Sequence, residues 1–432
     1  MSIDKPLVKL SNISNKSIGK YFNVTEGAVR SWALNKPKTY EENLIEYKFN
    51  TQPFISIKEY SKKYNISIDK IKKKIKKEKI PSILSKYDKK IVDFIPFNSY
   101  KMLELKNEIK NLKSAKVITL ANKKGGVGKT TTTVNLASTL SFLGYDVLVV
   151  DADTQANTTA MFDIYMNNGY EKTIVDAIYS VAKSKPEQAK NIVEDMIISV
   201  QDKLGFIGKL DILPNAGTNE NEKMYENIET ELKSFTNVNN VLDDVLSPIS
   251  DKYDFILIDT PPRVDLTLRI SAMASDYIIM VFTAEKMSKD GVPSFIGPLA
   301  EFNHAYARYK NKDINILGGI INAYAKNINL QKVFAEQIEE DLDSVLNRSD
   351  FNYSLNFIDG MSLNNSCLFQ TKIRRSIKVQ DVQLNGHGSF LSNNSLQEQI
   401  DESAADIIRD YFTLCDEIIN RIFANLCNTN EL

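Results

Sequence analysis

The stretch Lys123-Lys124-Gly125-Gly126-Val127-Gly128-Lys129-Thr130-Thr131 concentrates the residue types that hold a phosphate chain. Such a chain is fully ionised at neutral pH and must be gripped without side chains in the way. Gly125, Gly126 and Gly128 free successive backbone N–H groups to turn inward as a concave nest, and a helix starting at the loop adds the positive end of its dipole. Lys129 then supplies a point charge for the outer phosphates and Thr130 a hydroxyl for magnesium. Two apolar runs end in acids: Val147-Leu148-Val149-Val150 in Asp151-Ala152-Asp153, and Phe255-Ile256-Leu257-Ile258 in Asp259-Thr260-Pro261-Pro262. Carboxylates just past the end of a buried strand sit at the crevice of a doubly wound sheet, where ligands bind. Asp259 would hold a magnesium-bound water, and the two prolines stiffen the loop after it.

The elements that must position these residues follow from the same pattern. Val117-Ile118-Thr119-Leu120-Ala121 enters the glycine loop as a strand, and Thr132-Thr133-Val134-Asn135-Leu136-Ala137 leaves it with helical spacing. Thr173 to Ile178 reads as a helix, Leu210 to Asn215 as a strand with its exit turn, and residues 181–203 as charged and helical. Tyr277 to Val281 and Ile316 to Asn322 supply two more buried strands. Alternating strands and helices joined by right-handed crossovers predict an α/β fold, a doubly wound and mainly parallel sheet.

Against the ordinary phosphate loop G-x-x-x-x-G-K-[ST], the first glycine is missing; Lys123 stands there, followed by Lys124. This is the deviant Walker A form. With both acid motifs in order, residues from about 115 to 425 resemble the ParA/MinD family of P-loop ATPases, in particular plasmid partition ATPases of the ParA type. The resemblance implies ATP and Mg2+ as cofactors. It makes Lys124 the signature lysine, which reaches across a dimer interface to the partner's nucleotide, and lines the nucleotide with Lys124, Gly125, Gly126, Val127, Gly128, Lys129, Thr130 and Thr131. Asn322, at the end of its strand, matches the family's adenine contact. Asp153 would orient the attacking water, so Lys124, Lys129 and Asp153 form the catalytic set. Thr130 and Asp259 would serve the metal, with Asp151 supporting them from behind. The family's D-x-D-P-Q-G-N carries Thr154 for proline and Ala156 for glycine here, which leaves the path of this loop open. Thr371 to Val379 is similar to a segment that bears arginines for sequence-independent DNA binding in ParA proteins. Arg375 and Lys378 fall on the basic positions, and Arg374, which stands where proline is usual, is counted with them as a DNA contact.

The net charge of −1 hides an asymmetry, because residues 1–115 carry 25 Lys+Arg against 12 Asp+Glu. This +13 front end on a −14 body suggests a polyanionic partner. Two segments 42 positions apart, Lys20-Tyr21-Phe22-Asn23-Val24-Thr25 and Lys62-Lys63-Tyr64-Asn65-Ile66-Ser67, share a helix-turn-helix pattern. Gly19 and Ser61 are the small residues where two helices touch, Val24 and Ile66 the apolar turn residues, and Val29 and Ile71 the pins under the second helix. Thr25 and Ser67 suit its N-cap. In the first unit Ile18, Phe22, Val24, Val29 and Trp32 make a small core, leaving Arg30 and Ser31 outward, placed for base edges and phosphates. In the second, Lys70, Lys73 and Lys74 face outward, which suits phosphate contact better than base reading. Ser82 to Leu84 and Ile91 to Pro96 could form a two-stranded wing. The chain thus divides into a helix-turn-helix unit (1–50), a second such unit with a candidate wing (51–99), a connector helix (100–114) and the ATPase body (115–432).

A chain of 432 residues, 43% hydrophobic and 25% charged, can bury ordinary cores, and no apolar run reaches the roughly twenty residues that span a bilayer. Cys367, Cys415 and Cys427 suit neither a disulfide framework nor a metal cluster, so a reducing cytoplasm is expected. None lies between the Walker motifs, where an iron–sulfur reductase of the nitrogenase type would place its ligands. The resemblance further implies an ATP-dependent homodimer, nucleoid association, a ParB-like centromere-binding partner that stimulates hydrolysis, and operator binding by the front end as an autorepressor. A front end that docks protein instead is the alternative for residues 1–114. The rival for the whole chain is a MinD-like membrane ATPase ending in a basic amphipathic helix. Here the helix Asp406 to Leu426 has an apolar face of Ile418, Ile419, Ile422, Phe423 and Leu426, but Asp406, Asp410, Asp416 and Glu417 oppose anionic lipid, so no membrane partner is expected.

Overall fold

The computed structural model describes residues 7–10, 13–78, 80, 82–87, 90–164, 172–200, 208–216, 238–285, 292–310, 314–346, 356–357, 366–376, 399–400 and 402–429. Its larger sheet has the order β12-β11-β10-β5-β9-β6-β8-β7, with β13 also paired to β11. The strands are β5 (Lys116–Ala121), β6 (Val147–Asp151), β7 (Ile198–Ser199), β8 (Leu210–Leu213), β9 (Phe255–Asp259), β10 (Tyr277–Thr283), β11 (Asn315–Tyr324), β12 (Asn356–Phe357) and β13 (Leu368–Arg374). All these pairings are parallel except β7 with β8. The expected doubly wound sheet is therefore the one observed. Within the stretch 181–203 read as helical, Ile198–Ser199 is instead a short antiparallel edge strand.

Burial explains why these runs are continuously apolar. Side chains alternate across a strand. On one face Ile118, Val149, Leu257 and Ile279 pack with Leu136 and Leu140 of the loop's helix and with Ile408, Phe412 and Ile419 of the terminal helix. On the other, Leu148, Val150, Ile256 and Ile258 meet Val175, Ile178 and Val245, while Ile278 and Met280 meet Phe295, Leu299 and Ile338. A sheet covered on both faces needs no polar alternation.

The front end holds both helix pairs. They are α1 (Asn15–Phe22) with α2 (Glu26–Asn35), and, after α3 (Pro37–Thr51), α4 (Ile57–Tyr64) with α5 (Ile68–Glu78). Each first helix stops at an asparagine in the left-handed region, Asn23 at φ 55° and Asn65 at φ 53°. Each second helix starts from a hydroxyl cap: Ala28 N donates to Thr25 Oγ1 at 3.1 Å and Lys70 N to Ser67 Oγ at 3.3 Å. Gly19 is required at the crossing, since a Cβ there would lie 2.8 Å from Val24 O. The wing strands β3 (Ile83–Tyr87) and β4 (Lys90–Pro96) pair antiparallel, and β2 (Phe54–Ser56) adds to β4.

Two additions were not foreseen. The strand β1 (Leu7–Leu10) precedes the first helix pair but joins the sheet of the second, beside β3. Its other edge receives β14 (Gln399–Ile400), from just before the terminal helix Glu402–Thr429. That helix also holds the front end from below: Arg409 donates to Gln52 O at 2.7 Å and Phe49 O at 2.8 Å and stacks 3.8 Å over the Phe97 ring. The connector helix α6 (Ser99–Lys110) is fixed to the body through Ile109 in the core and Lys110, paired with Asp146 and Asp254.

Candidate nucleotide-binding site

The glycine loop leaves β5 and enters α7 (Lys129–Phe142). Its path depends on two left-handed glycines, Gly126 at φ 73° and Gly128 at φ 87°. A Cβ on Gly126 would meet nothing within 4 Å, so the mouth of the loop is open, whereas one on Gly128 would stand 1.9 Å from Asn322 Nδ2. The base of the loop is pinned by Asn122, which donates to Val281 O at 2.6 Å and accepts from Lys124 N at 2.9 Å. Buried Val127 anchors the turn, while Thr131 follows Thr130 in the first turn of α7.

Lys129, Thr130, Asp151, Asp153 and Asp259 converge at this mouth. Lys129 is 7% exposed; burial pulls its ammonium below the usual range, opposed by the charges of Asp259 and Asp153. Asp259 is fully buried and accepts from Thr130 Oγ1 and Thr158 Oγ1, both at 2.7 Å. Burial raises its carboxyl to about 6 against these bonds and the Lys129 charge. Asp151 lies deeper: burial first, then the neighbouring Asp259 charge, push it up to about 8. Its Oδ2 accepts from Thr159 N at 2.8 Å and Thr159 Oγ1 at 2.7 Å. Asp153, at 6% exposure, accepts from Gln155 N at 3.0 Å and holds its own N–H 3.3 Å from Asp151 Oδ1. A hydroxyl backed by a carboxylate at a helix start fits magnesium, a hard cation that keeps several waters and takes few protein ligands. Asp151 and Asp259 are both fully buried with the single Lys129 charge acting on Asp259, and a divalent ion would offset the remaining cost of burying two acids.

The loop after Asp151 is now defined. Ala156, where the family carries glycine, keeps a glycine-like backbone at φ 52°. Asn215, fully buried at the exit of β8, donates to Asp151 O at 3.3 Å and Asp153 O at 3.1 Å, clamping the loop from beside. Thr158, Thr159 and Asn215 were missed from sequence, although the two threonines directly follow the acid motif.

Three other site residues have partners that sequence could not assign. Lys124 Nζ lies 2.8 Å from Glu285 Oε2, and this ion pair holds the Glu285 carboxyl below its usual range. Asn322 donates to Val127 O at 2.9 Å and accepts from Ala323 N at 2.8 Å, so its amide buttresses the glycine loop. Arg374 engages Asp406 at 2.5 Å and Asp410 at 3.1 Å on the terminal helix while its side chain stays 43% exposed. Arg375 is exposed beside it, and Lys378 lies outside the described residues. On the front end Arg30 pairs with Glu26 one turn away, Ser31 is exposed, and Lys70 and Lys73 are exposed with Lys74 half-buried. Neither group is part of the glycine-loop site.

A strand, a left-handed glycine loop, a helix-borne lysine and threonine, and an acid at the end of the adjoining strand define a P-loop nucleotide hydrolase of the deviant Walker A class. A family model described as an AAA domain matches residues 115–316. An uncharacterised protein of Methanocaldococcus jannaschii is 33% identical over 227 residues, covering 52% of this chain and 79% of the relative. The chain belongs to the ParA-type ATPases. A ParA family protein of Chlamydia pneumoniae is 26% identical over 305 residues, 70% of this chain and 97% of that protein. Among solved structures, the ATP complex of McdA from Cyanothece shares the fold with a TM-score of 0.50 at 17% identity, covering 71% of this chain and 96% of that one.

Proposed function

We propose that this chain is a DNA segregation ATPase whose Mg-ATP-bound form is a homodimer. The observation that carries the reading is the convergence of Lys129, Thr130, Asp151, Asp153 and Asp259 on the mouth of one glycine loop, with Lys124 at its rim. The N–H groups of Gly125 to Thr131 and the Lys129 ammonium bind the phosphates, and Thr130 with Asp259 holds the metal site, supported by Asp151. Magnesium, when bound, neutralises the charge that builds on the transferred phosphoryl oxygens. Asp153 accepts a hydrogen bond from the attacking water and orients it. Asn322 keeps the loop in shape and hydrogen-bonds adenine. Lys124 exchanges its local partner Glu285 for the γ-phosphate held by the second copy, so that loss of the phosphate releases the dimer.

DNA is the proposed cargo surface. Arg374, Arg375 and Lys378 contribute sequence-independent phosphate contacts, doubled in the dimer so that avidity follows nucleotide state. Residues 1–50 and 51–99 act as helix-turn-helix units on a partition operator through Arg30, Ser31, Lys70, Lys73 and Lys74, with 100–114 as the connector to the body at 115–432. A ParB-like partner stimulates hydrolysis, and the protein works in the cytoplasm on the nucleoid. Against the membrane-positioning alternative stands the terminal helix, where Ile418, Ile419, Ile422 and Leu426 are at most 1% exposed and face the core rather than lipid. No described helix is long and apolar enough to cross a membrane.

Asp153→Ala tests the reading in a steady-state ATPase assay paired with gel shift on non-specific DNA. Lost turnover with ATP-dependent DNA binding retained is expected; normal turnover would remove Asp153 from its role.

A further inference from the structure

The family's acid loop is stiffened by a proline that this chain lacks. Thr154 occupies that position and is 3% exposed. Its hydroxyl accepts a hydrogen bond from Arg263 Nη2 at 3.2 Å. Arg263 belongs to the loop that follows Asp259-Thr260-Pro261-Pro262. Its Nε lies 3.0 Å from Asp265 Oδ2, while Asp265 Oδ1 accepts from Leu268 N and caps the helix Leu266–Ala274. One guanidinium therefore links the loop of Asp153 to a capped helix start beyond Asp259. A planar fork with donors on separate nitrogens is suited to such a bridge, whereas a lysine is a single point donor.

We infer that Arg263 is a positioning residue for hydrolysis, replacing by a side-chain tie the rigidity that proline would give the Asp153 loop. It acts through Thr154, holding the Asp153 carboxylate in register with the metal-binding acid Asp259. The half-exposed guanidinium is not itself required at the reacting atoms. This rests on the reading of Asp153 as the water-orienting acid.

The test uses the full chain with Mg-ATP and measures kcat and KM for the wild type, Arg263→Ala, Arg263→Lys, Thr154→Val and the double variant Arg263→Ala/Thr154→Pro. Loss of alignment without loss of nucleotide contacts predicts a kcat about tenfold lower for Arg263→Ala with KM little changed. Arg263→Lys does not recover it. Thr154→Val, which removes only the acceptor, gives the same loss and covers the case in which the arginine variant folds poorly. The double variant regains most of the rate, because proline fixes the backbone without a partner. Wild-type kcat in both Arg263→Ala and Thr154→Val overturns the inference. So does a double variant as slow as Arg263→Ala, which would mean the guanidinium acts directly on phosphate or partner. A wild-type chain that does not hydrolyse ATP would instead overturn the underlying function.

Discussion

Thr159→Val perturbs the support of the metal-side acids at a single atom. Thr159 is 1% exposed, and its hydroxyl both donates to Asp151 Oδ2 at 2.7 Å and accepts from Asn215 N at 3.0 Å. Valine has nearly the same shape, so no cavity term enters. The lost bond to Asp151 costs about 1 kcal/mol, and the Asn215 N–H left buried without an acceptor costs about 1–3 kcal/mol more, a total of roughly 2–4 kcal/mol. That is a large share of the 5–15 kcal/mol typical of a folded domain. Urea unfolding of the nucleotide-free chain measures it, with Thr159→Ser as the control that keeps the hydroxyl and loses only a methyl, at about 1 kcal/mol. A Thr159→Val chain within 0.5 kcal/mol of wild type, or no less stable than Thr159→Ser, would refute the assigned double role.

Gly128→Ala places a methyl 1.9 Å from Asn322 Nδ2 on a backbone at φ 87°; fluorescent-nucleotide titration should show at least a tenfold loss of ATP affinity, only partly recovered by Asn322→Ala, because the backbone strain remains. The metal-free chain should lose stability as pH rises. Asp259 and Asp151 titrate at about 6 and about 8 in the fold, above the value near 4 of an unfolded aspartate. The native state thus retains protons that the unfolded chain releases, and the deficit grows from about pH 4 until both acids are ionised. A melting temperature lower at pH 8.5 than at pH 5.5, with the difference reduced by Asp151→Asn and by Mg-ATP, is the expected result; a difference unchanged by Asp151→Asn would contradict it.

What could be read in the sequence is what local pattern specifies. The strand, glycine loop and helix around Lys129, the acids at strand ends, and the paired helices around Gly19 each follow from residue types at short range. Partners chosen by tertiary packing could not be read. The acceptors of Arg374 could not be found from sequence, because Asp406 and Asp410 are far along the chain; only the docking of the terminal helix brings their carboxylates to it. The two-residue strand Gln399–Ile400 carries no periodicity of its own and acquires its identity by pairing with Lys9 and Leu10. Glu285, just beyond the end of β10, is an ordinary exposed acid until the parallel register sets that strand beside β5 and brings Lys124 to it. Ala156 shows the converse: the glycine is gone but the left-handed turn is kept, because Ala156 N still donates to Asp153 O at 2.9 Å.

In the proposed dimer each copy lends Lys124 to the nucleotide of the other. Sedimentation of Asp153→Ala, which is expected to hold ATP without consuming it, measures this directly when compared with Asp153→Ala/Lys124→Ala under the same Mg-ATP. Dimer for the first, monomer for the second, and monomer for both with ADP is the predicted result. A double variant that dimerises with ATP as tightly as Asp153→Ala would contradict it.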